Sequence, residues 1–226
     1  MFVANNNEGH SKWPQTSQQM IIVPSKDGPT SGDEALEVQI QHVFDGDGFR
    51  AKLWNPYRQR WVPDVQFRFA FIDAPEKGQP FGDEARDCLH GLIGGKTLRL
   101  DPIFKESMNG VPFDPYKRIL CMGFLTEEMG VGEVHYYHSG ECSVGHVKRA
   151  RTVTRNVELE MIINGWAWVV EQYSFEHSEA YFTAQEDAQR HRRGLWRADN
   201  PEPPWNFKRR QRRQKATKAQ HGLAWE

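Results

Sequence analysis

Val65, Phe67, Phe69 and Phe71 alternate with polar or small neighbours. A period of two is the mark of a half-buried β-strand. Pro75 stops the run, because proline brings no N–H to a strand ladder. Arg68 stands within this strand, Asp73 at its end and Glu76 just beyond it. A strand that delivers an arginine and two acids to one rim describes a site rather than a packing feature. Arg68 and Asp73 are five residues apart, so strict alternation sets them on opposite faces. Serving one site requires a bulge or coil near Phe71–Ile72.

Other strands flank this one. Leu36, Val38 and Ile40 alternate, as do Phe49, Ala51 and Leu53, with the turn Asp45-Gly46-Asp47-Gly48 between them. Together with the strand ending at Asp73 they predict a three-stranded meander. Leu98 and Leu100 mark a fourth strand and Arg118 to Leu125 a fifth. Helices are expected over Asp83 to Ile93, stopped by Gly94-Gly95, and over Asn156 to Ile163, stopped by Gly165. A third is expected over Ser178 to Arg193, stopped by Gly194. Five strands with three helices predict an α+β, mainly β fold. The expected form is a five-stranded oligonucleotide-binding (OB) barrel with the helices packed on it.

At 226 residues the chain suits one domain with extensions, against a soft prior of roughly 100–200 residues per domain. Residues 1–34 read as a flexible polar arm, although Met20 to Val23 has the pattern of an added edge strand. Residues 35–198 form the domain, with an insertion at about 126–153 that lengthens a hairpin. Residues 199–226 read as a Pro/Trp linker and a basic tail. Lys208 to Lys215 (KRRQRRQK) is expected to be solvated and disordered, adding non-specific phosphate contacts. Net charge is −1, so affinity for nucleic acid has to come from local clusters. No apolar run reaches the roughly 20 residues of a membrane helix. The start lacks a basic region followed by an apolar one, and three cysteines at wide spacing suit a reducing compartment. The expectation is therefore a cytoplasmic monomer, the alternative being export with a signal outside this start.

Three segments carry chemistry: Asp45-Gly-Asp47-Gly, Arg68 to Glu76, and Asp114-Pro-Tyr116-Lys117-Arg118. Phosphodiester hydrolysis requires neutralised charge, an activated water and a stabilised leaving oxygen. Two aspartates make a hard oxygen site for Ca²⁺ or Mg²⁺. A glutamate beside them acts as general base. Arginines grip phosphate with paired N–H donors in a way lysine does not match.

These segments, with N-x5-I-x-x-G-W-A at the second helix end and A-x3-R-R-G-L-W at the third, make the chain resemble the staphylococcal (thermo)nuclease family from about Leu36 to Trp196. The resemblance implies an OB barrel with three helices and a nuclease acting on DNA and RNA with little sequence specificity. It implies Asp47, Asp73 and the backbone carbonyl of Ala74 as Ca²⁺ ligands, with Mg²⁺ or Mn²⁺ as substitutes. Glu76 is implied as the residue that activates water, and Arg68 and Arg118 as the phosphate-binding pair. Tyr116 and Tyr173 match nucleotide-pocket positions, although Glu171 replaces a further tyrosine. The family turn DGDT reads DGDG here, and the lost hydroxyl at Gly48 is expected to loosen the metal site. Lys117 stands where the family has glycine before the arginine, a position for an added phosphate contact.

Two rival readings keep the fold and drop the chemistry: a non-catalytic nucleic-acid-binding barrel, and a protein-interaction module. The chain keeps all five catalytic and metal-binding side chains, which favours the enzyme. His135, His138, Cys142 and His146 have a spacing that zinc accepts, but polar insertions gather histidines by chance. Trp166 and Trp168 read as core, and Cys88 with His90 as a core thiol beside a surface imidazole.

Overall fold

A computed structural model of the chain describes residues 35–103, 113–129, 132–138, 141–147, 151–170, 175 and 178–222, with side chains in 129–151 and beyond 217 left aside. The expected edge strand at Met20–Val23 and the polar arm lie outside the described residues. The meander is present as β1 (Leu36–Val43), β2 (Gly48–Asn55) and β3 (Arg60–Phe69), paired antiparallel in sequence. Val38, Phe49, Ala51, Phe67 and Phe69 point inward and are fully buried. The β1–β2 register slips between Ile40 and His42, which changes the alternation so that Ile40 and Val43 both face the core.

β3 ends at Phe69, the chain bends at Ala70 and Phe71, and β4 (Ile72–Asp73) then pairs with β10 (Trp168–Val169) instead. The bend stands where alternation demanded one. Next come helix α1 (Gly82–Ile93), β5 (Thr97–Pro102) and β6 (Ile119–Met129). β5 joins β1 to β6, and β6 closes the barrel by running parallel to β3, with Arg68 opposite Leu120. Closure leaves no open edge between β3 and β6. Ala85, Leu89 and Ile93 recur at helical spacing on α1 and are fully buried. Burial of each such Leu or Ile is worth about 1.5–3 kcal/mol.

The insertion is a hairpin, β7 (Gly132–His138) with β8 (Glu141–Val147), set between β6 and β9 (Arg151–Asn156). The side chains of its His and Cys residues lie outside the description. α2 (Val157–Ile163) is capped by Asn156, whose side chain accepts from the Leu159 N–H at 3.0 Å. α3 (Ser178–Arg190) follows, and a 3₁₀ turn at Gly194–Arg197 closes this part. Gly165 and Gly194 both have positive φ, and the Leu195 N–H donates to the Gly165 carbonyl. A Cβ on Gly194 would lie 2.2 Å from that carbonyl oxygen, so two backbones meet where only glycine fits.

The C-terminal run departs from expectation. Residues Pro204–Gly222 form a fourth helix, α4. Proline at the first helical position costs no hydrogen bond, and Lys, Arg, Gln and Ala are good helix formers. Pro204 and Phe207 are buried, and Trp205 packs edge-on against Trp168 with centroids 6.3 Å apart. Trp166 and Trp168 are themselves buried, in keeping with core roles.

Candidate active site

The bend after β3 turns the carboxyl group of Asp73 back toward Arg68. One guanidinium nitrogen, Arg68 Nη2, donates to Asp47 Oδ2 at 3.0 Å and to Asp73 Oδ1 at 2.7 Å. A longer contact runs to the Ile72 carbonyl at 3.5 Å. Residues from the β1–β2 turn, from β3 and from β4 thus share one cation. The Ala74 N–H also donates to Asp47 Oδ2, at 3.0 Å, which sets the Ala74 backbone against the same acid. Asp47 is held from behind as well, its N–H donating to Asp45 Oδ1 at 3.1 Å. A Cβ on Gly48 would come within 2.9 Å of that Asp45 oxygen, so a threonine here would contest the position Asp45 occupies.

Burial dominates the electrostatics. It pushes the Asp47 carboxyl up to about 6, opposed by the Arg68 charge and reinforced by Asp45. Burial, then the neighbouring Asp47, also raises Asp73. Arg68 is raised, chiefly by Asp47. Only 17% of its side chain is exposed, so it is a fixed cation at the rim.

Glu76 sits in the turn before α1. Its N–H donates to the Gln79 side chain at 3.0 Å, and its carbonyl accepts from the Gln79 N–H at 2.9 Å. A Cβ on Gly82 would stand 2.2 Å from the Glu76 carbonyl oxygen, so this turn lies flush on the start of α1. The Glu76 carboxylate and Asp73 are joined by a residue of the basic run that its composition predicts to be disordered. Lys208 Nζ lies 2.8 Å from Glu76 Oε1 and 2.9 Å from Asp73 Oδ1. Pro204, Phe207 and Lys208 stand at i, i+3 and i+4 on α4, so one helix face carries both the apolar anchor and the ammonium.

Arg118 enters from the start of β6, next to Phe67 of β3 through the pairing of Phe67 with Ile119. Its Nε and Nη2 both donate to Asp114 Oδ2, at 2.8 and 2.7 Å, rather than to the acids around Arg68. Asp114 Oδ1 accepts from the N–H groups of Tyr116 and Arg118, both at 2.9 Å, so one aspartate shapes the loop and holds its arginine. Tyr116 is 68% exposed, with the Arg118 guanidinium 5.5 Å from its ring centroid. Lys117 is exposed and adopts φ 64, which accounts for the glycine of the family pattern. Tyr173 lies outside the described residues.

Glu158, which none of the sequence motifs specifies, is fully buried behind the bend. It accepts from the Phe71 N–H at 3.0 Å and lies 3.1 Å from the Tyr181 hydroxyl. Burial pushes it up to about 8, opposed by the hydrogen bonds from Phe71 and Tyr181. Tyr181 also donates to Asn156 Oδ1 at 3.1 Å. A hydroxyl has one proton, so both contacts are satisfied together only when Glu158 is protonated and donates to Tyr181.

Among the described residues no three His, Cys, Asp or Glu side chains form a ready cage for a metal. Arg68 and Lys208 hold the acids instead. The donor set nevertheless fits a hard dication: Asp45, Asp47, Asp73 and Glu76 are four carboxylates against the two cations Arg68 and Lys208.

A closed OB barrel whose rim joins two aspartates, a glutamate and an arginine is the architecture of the staphylococcal-nuclease class. The family model described as staphylococcal nuclease homologue matches residues 66–198, more than half the sequence, and the chain belongs to that family. A Haemophilus influenzae protein named "Uncharacterized endonuclease" is 32% identical over 148 residues, 66% of this chain and 62% of its own length. An Escherichia coli protein of the same name is 29% identical over 146 residues, 65% of this chain and 72% of its own. A Shigella flexneri protein named "Micrococcal nuclease" is 28% identical over 171 residues, 76% of this chain and 79% of its own.

Proposed function

We propose that the chain is a divalent-metal-dependent phosphodiesterase, Ca²⁺ being the preferred ion, that cuts DNA and RNA with little sequence preference. The observation that carries this is the single nitrogen Arg68 Nη2 bonded to both Asp47 and Asp73. Asp47, Asp73 and the Ala74 carbonyl would hold the ion, which supplies neutralising charge at the phosphate when bound. The Arg68 side-chain hydrogen bonds among the described residues all use Nη2, which leaves Nε and Nη1, on opposite edges of the guanidinium, as separate donors toward phosphate oxygens. Glu76 takes the proton from a water that attacks phosphorus, and the bonding pair of the broken P–O bond goes to the leaving oxygen. Arg118, held in place by Asp114, stabilises the charge that develops on the phosphate. Tyr116 and Lys117 lie beside it as an exposed aromatic face and a cation for the nucleotide.

The test is digestion of circular single-stranded DNA and of RNA, with Ca²⁺ and with chelator, by wild type and Glu76→Gln. Metal-dependent cutting by wild type alone supports the proposal, and a cut circle makes the enzyme an endonuclease. Binding without cutting in any divalent metal replaces it with a non-catalytic barrel. Equal cutting by both proteins removes Glu76 from its role.

A further inference from the structure

Lys208 belongs to a helix outside the barrel, yet its ammonium lies among the acids of the rim. Two of its three N–H donors are spent on Asp73 Oδ1 and Glu76 Oε1, at 2.9 and 2.8 Å. These acids have different duties in the proposed reaction, one toward the metal and one toward the water. We propose that Lys208 is an active-site residue, a tethered cation that occupies the Asp73–Glu76 pair and is displaced when a divalent cation binds. This inference rests on the metal-site reading of Asp47 and Asp73.

Three features argue for it. First, the ammonium and a dication seek the same carboxylate. Asp73 Oδ1 already accepts from Arg68 Nη2 and from Lys208, so both of its lone pairs are engaged. Second, an ammonium at 2.8 Å from Glu76 Oε1 takes that oxygen and stabilises the charged carboxylate, which makes it a weaker proton acceptor than a general base needs to be. The seated lysine therefore describes a resting state. Third, the side chain can leave while the helix stays. Pro204 and Phe207 remain buried, and Glu202 ties the start of α4 down on both sides. Its carboxylate pairs with Arg210 at 2.6 Å, and its carbonyl accepts from Gln79 Nε2 at 2.6 Å. The same Gln79 side chain accepts from the Glu76 N–H, so the helix entrance and the Glu76 turn are one connected unit. The flexible four-carbon stem of Lys208 is the part that can move.

The experiment uses the full chain. Ca²⁺ affinity is measured by titration calorimetry on wild type, Lys208→Met and Lys208→Arg. In parallel, labelling of wild-type lysines by an amine-reactive ester is followed by mass spectrometry with and without Ca²⁺. Lys77 and Lys52 are exposed and serve as references within the same molecule. Removing the competing cation in Lys208→Met is expected to tighten Ca²⁺ binding about tenfold, the effect of relieving about 1.4 kcal/mol. Lys208→Arg, which keeps the charge, is expected to stay near wild type. Lys208 is expected to label more slowly than Lys77 in the metal-free protein and to approach its rate once Ca²⁺ is added. If wild type binds Ca²⁺ but Lys208→Met binds no tighter, or Lys208 labelling ignores the metal, the lysine is a structural strut. The proposal then falls while the metal site stands. If neither wild type nor Lys208→Met binds Ca²⁺, the metal-site reading and this proposal fall together.

Discussion

Replacing Glu158 with glutamine separates the fold's demand for a hydrogen-bonding group behind the bend from its demand for a proton. In the native state the carboxyl group is fully buried and pushed up to about 8, whereas an unfolded chain leaves it near the ordinary 4.5. Between these values the folded protein holds a proton that the unfolded chain has lost. The unfolded state binds fewer protons, so stability falls as pH rises through this window, by at most about 1.4 kcal/mol per pH unit. Glutamine cannot ionise, and its amide supplies a carbonyl for the Phe71 N–H and an N–H for Tyr181. Glu158→Gln is therefore expected to match wild type near pH 5 and to exceed it increasingly toward pH 8. Glu158→Ala, which strands the buried Phe71 N–H and leaves a cavity, is expected to cost about 1–3 kcal/mol or more at every pH. The assay is urea unfolding followed by tryptophan fluorescence at half-unit steps from pH 5 to 9. Parallel profiles for wild type and Glu158→Gln across that window would refute the reasoning, since they would show the same protonation of Glu158 in both states.

Other perturbations test the supports of the site. Gly82→Ala forces a Cβ against the Glu76 carbonyl, so nuclease turnover is expected to drop about tenfold or more with circular dichroism of the helices retained. Gly194→Ala adds a clash with the Gly165 carbonyl to a positive φ, and thermal unfolding is expected to show a loss of at least about 1–3 kcal/mol. Asp114→Ala removes the acceptors for the Tyr116 and Arg118 N–H groups and frees the Arg118 guanidinium. Turnover is then expected to fall more than global stability, measured as kcat against urea midpoint. Lys117→Gly relieves a left-handed backbone and is expected to raise stability by about 0.5–1 kcal/mol while weakening oligonucleotide affinity, read by calorimetry and fluorescence anisotropy.

The parts of the site that were legible in the sequence are those set by local covalent spacing. Arg68, Asp73 and Glu76 lie within nine residues, and a strand with one bend has few ways to arrange them. The bend was itself demanded by alternation, and it falls at Ala70 and Phe71. Glu158 was not legible in the same way. An acid at the second position of a helix is ordinarily a surface group that complements the helix dipole. What betrays it is its company: Val157, Leu159, Met161 and Ile162 are buried around it, so α2 has no solvent face over this stretch. An acid inside such a helix needs a buried partner, and the bend beside Asp73 supplies the unpaired N–H of Phe71.

Lys208 was hidden for a different reason. Read as charge, KRRQRRQK is a block of like cations that repel one another and stay in water. Read as a helix, the same letters have a face, and the residues that define it precede the block. Pro204 fixes the first turn, and Phe207 buries one side, which leaves Lys208 the neighbour that must follow Phe207 toward the barrel. Its partner was equally invisible, because the rim carries more acids than Arg68 can balance only after the fold has brought Asp45, Asp47, Asp73 and Glu76 together. That excess of negative charge draws in whatever cation is within reach. A lysine anchored one residue from a buried phenylalanine is always within reach, whereas a free metal ion is so only at sufficient concentration. Competition between the two follows from the geometry of α4, and its strength is set by how firmly Pro204 and Phe207 hold the helix down. Phe207→Ala is accordingly expected to loosen α4, to speed amine labelling of Lys208 in the metal-free protein, and to tighten Ca²⁺ binding in the same direction as loss of the lysine. Unchanged labelling in that variant would mean that the ion pairs, and not the apolar anchor, seat the helix.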